Sequence, residues 1–371
     1  MLIGIDGNEA NIGNKVGIGE YAFRLTTEFS KIKKPNLSFE VYLKEFPLGS
    51  LPIKSENFRY KVIGPRKMWT QIALPFDLYF SSPRPDVFFT PSHYAPRFSP
   101  VPTVVSVMDL SYIHYPELFN KDDLYQLTNW TSYSVKKASR VITISEFSRN
   151  AIIKEYKIAS NKVDVIYPGI KEELRIKNKE LSMEELKKKF GIEGKYILLV
   201  GTLQPRKNIT RLIEAFAKLK RDELELVIVG KKGWQYEEIL GAPKKFGVEE
   251  KVRFLDFVSD EDLPSLYKNA EFFILPSLYE GFGLPILEAM SYGCPVITSN
   301  VSSLPEAGGD AVLYVDPEDV SDIASKMEKL LDDKKLRDDL VEKGHKQLKK
   351  FSWEKAARET LKVLEEVTSN G

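Results

Sequence analysis

Two carboxylates, Glu280 and Glu288, bracket a loop with two glycines in the run Leu275-Pro276-Ser277-Leu278-Tyr279-Glu280-Gly281-Phe282-Gly283-Leu284-Pro285-Ile286-Leu287-Glu288. An apolar run ends at Leu275, and a helical pattern opens near Leu284. Pro285 suits the first helical turn, where its missing N–H is no loss. Glycine lets the backbone approach a ligand closely. The helix start then offers free N–H groups and a positive dipole end to an anion, typically a phosphate. An ionised carboxylate only accepts hydrogen bonds, so two of them beside an anion site suit a ligand with both phosphates and hydroxyls. The plainer alternative makes Glu288 a charge complementing the helix dipole and Glu280 a solvated loop residue.

A second cluster, Gly201-Thr202-Leu203-Gln204-Pro205-Arg206-Lys207-Asn208, follows another apolar run. Open α/β sheets bind ligands at the carboxyl ends of such strands. Arg206 can grip phosphate oxygens with two donors, and Lys207 adds a point charge. Asn208 reads as the N-cap of the next helix. A third cluster, Gly17-Ile18-Gly19-Glu20-Tyr21, follows the first apolar run without forming a full G-x-G-x-x-G. That absence argues against a dinucleotide oxidoreductase. The acidic run Asp260-Glu261-Asp262 opens a helix, where acids are expected for capping, so no metal site is assigned.

These clusters need strands and helices to hold them. Apolar runs at 2–6, 37–43, 86–89, 103–107, 140–144 and 163–166 predict strands in the first half, with helices near 17–32, 121–138 and 146–157. Runs at 196–200, 224–229, 252–255, 271–275, 296–298 and 312–315 predict strands in the second, with a helix at 208–220. Strands apolar throughout are covered on both faces. Their alternation with helices predicts parallel sheets flanked by helices, an α/β fold. Each half opens strand–loop–helix, which predicts two Rossmann-like domains. The join is expected at Tyr167-Pro168-Gly169 and the charged stretch 171–182. A final amphipathic helix after Phe351, with Ser352 as N-cap, either finishes the second domain or packs on the first.

Taken together, these residues resemble family 4 glycosyltransferases, which have the two-domain GT-B fold. Glu280 and Glu288 match that family's E-x7-E motif, and Gly201 to Asn208 is similar to its G-x-x-x-x-R-K-N loop. Gly230-Lys231-Lys232, Arg253 to Val258, Val141 to Ser148 and Val165 to Gly169 resemble further family segments. The resemblance runs from about residue 1 to Val367. It implies two sheets facing across a cleft, with the terminal helix crossing back. Residues 1–170 with 352–371 would form the acceptor domain, and 171–351 the donor domain. It implies a retaining transferase moving a hexose from a nucleotide-diphosphate donor to a hydroxyl, without cofactor or metal. Arg206 and Lys207 would neutralise the diphosphate, Glu288 would accept ribose hydroxyls and Glu280 hexose hydroxyls. The backbone of Gly281, Phe282, Gly283 and Leu284 would line the donor, with Gly201 and Gly230 beside it. Val258 would meet the base, and Gly17, Ile18 and Gly19 the donor phosphate.

One departure stands out. Many members carry His-Asp where this chain has Met108-Asp109. Asp109 is carried over as a catalytic residue, but Met108 cannot donate or accept comparably. His93 and His114 are the candidate substitutes. The stretch Asp109 to Glu117 is similar to that in bacterial and archaeal polysaccharide mannosyltransferases, which favours GDP-mannose. The alternatives are a nucleotide-sugar epimerase on the same fold, or a sugar-nucleotide binding homologue weakened by Met108.

Composition bounds the rest. The 371 residues carry 54 Lys+Arg and 53 Asp+Glu, so bulk charge does not point to nucleic acid. A single Cys, Cys294, excludes a disulfide framework and a cysteine-based zinc site. No apolar stretch reaches membrane-spanning length and none resembles a signal peptide, so a cytoplasmic protein is expected. The near balance hides a split: residues 1–170 hold 21 Lys/Arg against 16 Asp/Glu, and nine Lys/Arg against three Glu fall within 31–67. That excess makes peripheral contact with the inner face of an anionic membrane a further expectation, for a lipid-linked glycan acceptor.

Overall fold

The computed structural model describes residues 1–15, 17–170 and 181–369. The chain divides into two units, Met1–Gly169 with Ser352–Gly371, and Ile170–Phe351. This division falls one residue before the expected one. Most of the expected joining stretch, residues 171–180, lies outside the described residues.

The first unit runs β1 (Leu2–Asp6), α1 (Ile18–Lys31), β2 (Ser38–Leu43), β3 (Phe58–Val62), α2 (Leu74–Phe80), β4 (Val87–Thr90), β5 (Thr103–Ser106), α3 (Ser111–His114), α4 (Lys121–Lys137), β6 (Arg140–Thr143), α5 (Glu146–Tyr156) and β7 (Val163–Val165). Among the described residues its sheet has seven parallel strands in the order β3-β2-β1-β4-β5-β6-β7. Every residue of β4 and β5 is buried, as continuous apolar strands require.

A strand and a helix of this unit bear most on what the sequence pattern misses. Strand β3 alternates Phe58-Arg59-Tyr60-Lys61-Val62 and lies at the sheet edge, so it carries no continuous apolar run. Helix α2 continues a single π-type turn at Trp69–Ala73, in a segment apolar on both sides and so without helical spacing.

The second unit runs α6 (Met183–Phe190), β8 (Lys195–Val200), α7 (Ile209–Lys218), β9 (Leu224–Val229), α8 (Glu237–Phe246), β10 (Val252–Leu255), α9 (Leu263–Asn269), β11 (Phe272–Leu275), α10 (Leu284–Ser291), β12 (Val296–Ser299), α11 (Leu304–Gly308), β13 (Leu313–Val315), α12 (Val320–Asp332) and α13 (Lys334–Gln347). Its parallel strand order is β10-β9-β8-β11-β12-β13. Helix α7 buries Ile209, Leu212, Ile213 and Phe216, the i, i+3, i+4, i+7 stripe of a core-facing helix. Truncating Leu212 to alanine there costs about 2–5 kcal/mol.

The last helix, α14 (Trp353–Ser369), belongs to the first unit. The Ser352 hydroxyl accepts from the Lys355 N–H at 3.1 Å and so caps it. Trp353 meets the Tyr21 ring edge-on at 5.9 Å. A Cβ on Gly169 would lie 2.1 Å from the Trp353 nitrogen, so only glycine admits this approach.

Strand order reverses between β1 and β4 in the first unit and between β8 and β11 in the second. Loops leaving the carboxyl ends of the two strands at such a point diverge to opposite faces and leave a crevice, where α/β sheets bind ligands.

Candidate active site

In the second unit the switch point lies between the loops that follow β8 and β11, which brings together the first two sequence clusters. A Cβ on Gly230 would stand 2.0 Å from the Gly201 carbonyl oxygen, so the turns after β8 and β9 touch backbone to backbone. The Lys207 side chain runs past Gly201, whose missing Cβ leaves it room. Asn208 occupies the N-cap position of α7 in a left-handed conformation, φ 59°, yet its side chain does not cap the helix as expected. Its amide instead donates to the Pro276 and Pro317 carbonyls at 3.0 and 2.6 Å. With the Leu278 N–H on the Arg206 carbonyl at 2.8 Å, Asn208 ties the two loops together.

Glu280 is the centre of the site. It is 7% exposed, and the solvated-loop alternative is thereby corrected. One carboxylate oxygen accepts from Lys207 Nζ at 2.5 Å and from the Ser277 hydroxyl at 2.7 Å, the other from Arg206 Nη1 at 2.8 Å. Arg206 also donates to the Tyr279 carbonyl at 2.9 Å. Burial alone would raise the Glu280 carboxyl, but the charges of Arg206 and Lys207 and the Lys207 and Ser277 hydrogen bonds pull it down to about 2. It is therefore ionised at neutral pH, a hydrogen-bond acceptor and a poor proton acceptor. Lys207 is itself buried, at 6% exposure.

Glu288 is half-buried on α10. The Tyr267 hydroxyl of α9 donates to it at 3.2 Å. Burial, reinforced by the Glu288 charge, holds the Tyr267 hydroxyl well above its ordinary value, so it stays a donor. Tyr267 stacks on Tyr292 at 5.5 Å. Its positioning role was not read from the sequence, where it counts only as an apolar helix position. Gly283 precedes α10 with φ 104°, a conformation open to glycine, and a Cβ there would strike Leu304. Gly281 and Phe282 are buried and Leu284 is half-buried at the helix start. Val258 is buried after β10, while the neighbouring Phe257 ring is exposed beneath Lys231 Nζ at 5.3 Å.

The acidic run before α9 is engaged otherwise. Both Asp262 oxygens accept from Lys189 Nζ at 2.7 Å, and one accepts from Ser259 at 2.6 Å; the Asp262 side chain does not cap α9. Among the described residues no group of three His, Cys, Asp or Glu could hold a metal ion.

In the first unit, the switch point lies between the loops after β1 and β4. Gly17 starts α1 with φ 51°, Ile18 is half-buried, and Gly19 lies against the Glu9–Ile12 turn, where a Cβ would strike Ile12. His93 follows β4, and its Nδ1 is buried without a hydrogen-bond partner. Burial lowers its imidazole below the ordinary value, against the opposing pull of Asp109. Asp109, after β5, accepts from the Ser111 N–H at 2.8 Å, and the Met108 carbonyl accepts from Ser148. His114, the other candidate substitute, is exposed at the end of α3. At the end of β1, burial raises Asp6 to about 6 despite hydrogen bonds from Asn8 at 3.0 and 2.8 Å.

Residues 38–174 match Glycosyltransferase Family 4, and residues 182–347 match Glycosyl transferases group 1. O-antigen chain mannosyltransferase B of Escherichia coli is 34% identical over 306 residues, 81% of this chain and 78% of that protein. A serotype-specific mannosyltransferase of Escherichia coli is 34% identical over 60% of this chain, which spans only 28% of its length. Among solved structures, sucrose-phosphate synthase from Thermosynechococcus elongatus aligns with a TM-score of 0.74 at 18% identity, over all of both chains. Anabaena Alr3699/HepE in complex with UDP-glucose aligns with a TM-score of 0.74 at 17% identity, over 98% of this chain and 99% of that one. At these identities the two structures establish the fold, two Rossmann-like GT-B domains.

Proposed function

Because the chain belongs to glycosyltransferase family 4, and is a glycosyltransferase, we propose that it is a retaining mannosyltransferase. Its donor is a nucleotide-diphosphate mannose, with GDP-mannose favoured, and its acceptor is a hydroxyl of a glycan or lipid-linked glycan. The observation that carries the donor site is the Glu280 carboxylate seated against Arg206 and Lys207, with Glu288 on the following helix. The relatives named as mannosyltransferases support the sugar.

The roles follow from the chemistry of each group. Arg206 and Lys207 meet the diphosphate and stabilise the charge that grows on it as the glycosidic bond breaks. These two cations and the start of α10 supply the positive charge, so no metal is invoked. Glu288, oriented by Tyr267, accepts ribose hydroxyls. The backbone of Gly281 to Leu284 lines sugar and pyrophosphate. Gly201 and Gly230 give close approach, Val258 flanks the base, and Gly17, Ile18 and Gly19 serve the donor phosphate.

Glu280 accepts hexose hydroxyls. A carboxyl lowered to about 2 is poorly matched to proton transfer near neutrality. The resemblance to family 4 implies the remaining step: the acceptor oxygen bonds to C1 as the C1–phosphate bond breaks on the same face, and the acceptor proton passes to the departing phosphate oxygen. Asp109 and the unpartnered Nδ1 of His93 supply polar contacts where Met108 supplies none.

A panel of sugar nucleotides, read by thermal shift and by release of nucleoside diphosphate, tests the reading. GDP-mannose is expected to stabilise the protein most and to be the donor consumed, giving α-linked product. Stabilisation without transfer to any acceptor would instead favour a binding homologue. A cytoplasmic site of action belongs to this proposal. Among the described residues no helix is long and apolar enough to cross a membrane.

A further inference from the structure

Helix α2 is fixed by one face and bare on the other. Trp69, Leu74 and Leu78 are buried against Tyr42, Phe88 and Val101, so the helix cannot roll to hide its outer side. That outer side presents Ile72, Phe76, Tyr79 and Phe80 to solvent, with Phe76 66% and Phe80 75% exposed. The two phenyl rings touch each other at 4.7 Å and form one apolar ridge. Met68, at the turn before it, is also exposed. Exposed contiguous apolar patches mark a surface that something covers.

Charge identifies what covers it. Residues 59–84 carry Arg59, Lys61, Arg66, Lys67 and Arg84 against one acid, Asp77. Lys61 Nζ pairs with Asp77 at 2.7 Å, which neutralises the acid on the helix itself. Exposed Arg66 and Lys67 then stand just before the ridge, and exposed Arg84 just after it. The Glu45–Arg66 ion pair at 3.3 Å brings in the loop bearing Phe46, which is 82% exposed. Aromatic and aliphatic side chains between basic ends match the boundary of an anionic bilayer, where rings insert at headgroup depth and cations meet lipid phosphates.

We propose that this face of the first unit docks on an anionic lipid surface. The proposal deepens the lipid-linked reading of the acceptor and rests on it for its purpose. The docking itself is read without any sugar transfer, so failure of one is distinguishable from failure of the other.

The test is co-flotation of the full chain with phosphatidylcholine vesicles, with and without phosphatidylglycerol. The chain is expected to float with the phosphatidylglycerol vesicles and to be released by high salt. The F76S/F80S variant, altered only at exposed positions, should bind about tenfold more weakly or worse. R66Q/K67Q should lose the salt-sensitive part while the melting temperature is kept. The proposal is overturned if the wild-type chain stays unbound by anionic vesicles, or if F76S/F80S floats as well as wild type. It is also overturned if light scattering finds a wild-type dimer that F76S/F80S dissolves, which would make the ridge a contact between copies.

Discussion

Replacing Glu280 with glutamine keeps the side chain's shape and removes a carboxylate placed against both Arg206 and Lys207. Two independent magnitudes bear on the cost. A carboxyl lowered from 4.5 to about 2 corresponds to about 3 kcal/mol of stability at neutral pH. Removing one member of a buried ion pair costs about 3–5 kcal/mol. The folded value lies below the unfolded one, so the contribution is complete above about pH 4.5 and vanishes as pH falls towards 2. For a unit of this size the loss lowers the melting temperature by roughly 10 °C. The same change removes a negative charge from beside the proposed diphosphate. Glu280→Gln is therefore expected to bind inorganic pyrophosphate about tenfold more tightly than wild type, a difference of about 1.4 kcal/mol, while losing turnover. Differential scanning fluorimetry across pH, with a pyrophosphate titration, reads both effects. An unchanged melting temperature at pH 7 would refute the buried triad. Weaker pyrophosphate binding in the variant would refute the view that Glu280 and the diphosphate compete for the same cations.

Arg206→Ala should lower kcat by about a hundredfold and at least tenfold, with the fold retained by circular dichroism, as for deletion of one contact to a developing anion. Tyr267→Phe removes the donor to Glu288 and is expected to raise the donor KM by about tenfold or more, in line with one lost hydrogen bond to a charged group at about 1.5–3 kcal/mol, with kcat nearly unchanged. A fall in kcat alone would contradict a purely positioning role. Asp6→Asn tests the raised carboxyl. The wild-type fold favours the protonated form, so ionising Asp6 between about pH 4 and 6 costs up to about 3 kcal/mol. The variant should melt several degrees higher than wild type at pH 7.5 and equally at pH 3.5, and equal melting at both would refute the burial effect.

Much of the fold is legible in the sequence because its strands are buried on both faces. Segments such as Leu224–Val229 then read as unbroken apolar runs whatever surrounds them. Strand β3 is not legible by that rule, since an edge strand with one neighbour keeps charged side chains in water. The site is legible in residue type and illegible in partnership. Gly201 and Gly230 stand out as glycines, but their backbone contact comes from two turns that only the sheet order makes adjacent. Asn208 has the right residue type for a cap. The two carbonyls that claim its amide are far along the chain, at Pro276 and Pro317, and outcompete the local helix N–H groups. Glu280 suggests a solvated loop by type, since a lone carboxylate is rarely buried. Its burial depends on two cations 73 and 74 residues away.

The two switch points carry opposite electrostatics, which bears on what each unit binds. In the second unit Glu280 is held ionised against Arg206 and Lys207, a cluster preorganised for charge. In the first unit burial drives groups the other way: Asp6 is raised to about 6, Glu9 is raised with Lys44 opposing, and His93 is lowered. At neutral pH His93 is an uncharged imidazole with an unpartnered ring nitrogen, able to bond a hydroxyl without the desolvation cost of a charge. Within the proposed reaction, the cluster of Arg206 and Lys207 suits the diphosphate, while an uncharged imidazole and acceptor carboxylates suit hydroxyls. Fixed cations at the first unit's switch point would instead favour an anionic acceptor. That division also accounts for Met108. A thioether at position 108 removes one donor without adding charge, and in the proposed reaction the contact falls to His93, which feels the charge of the neighbouring Asp109.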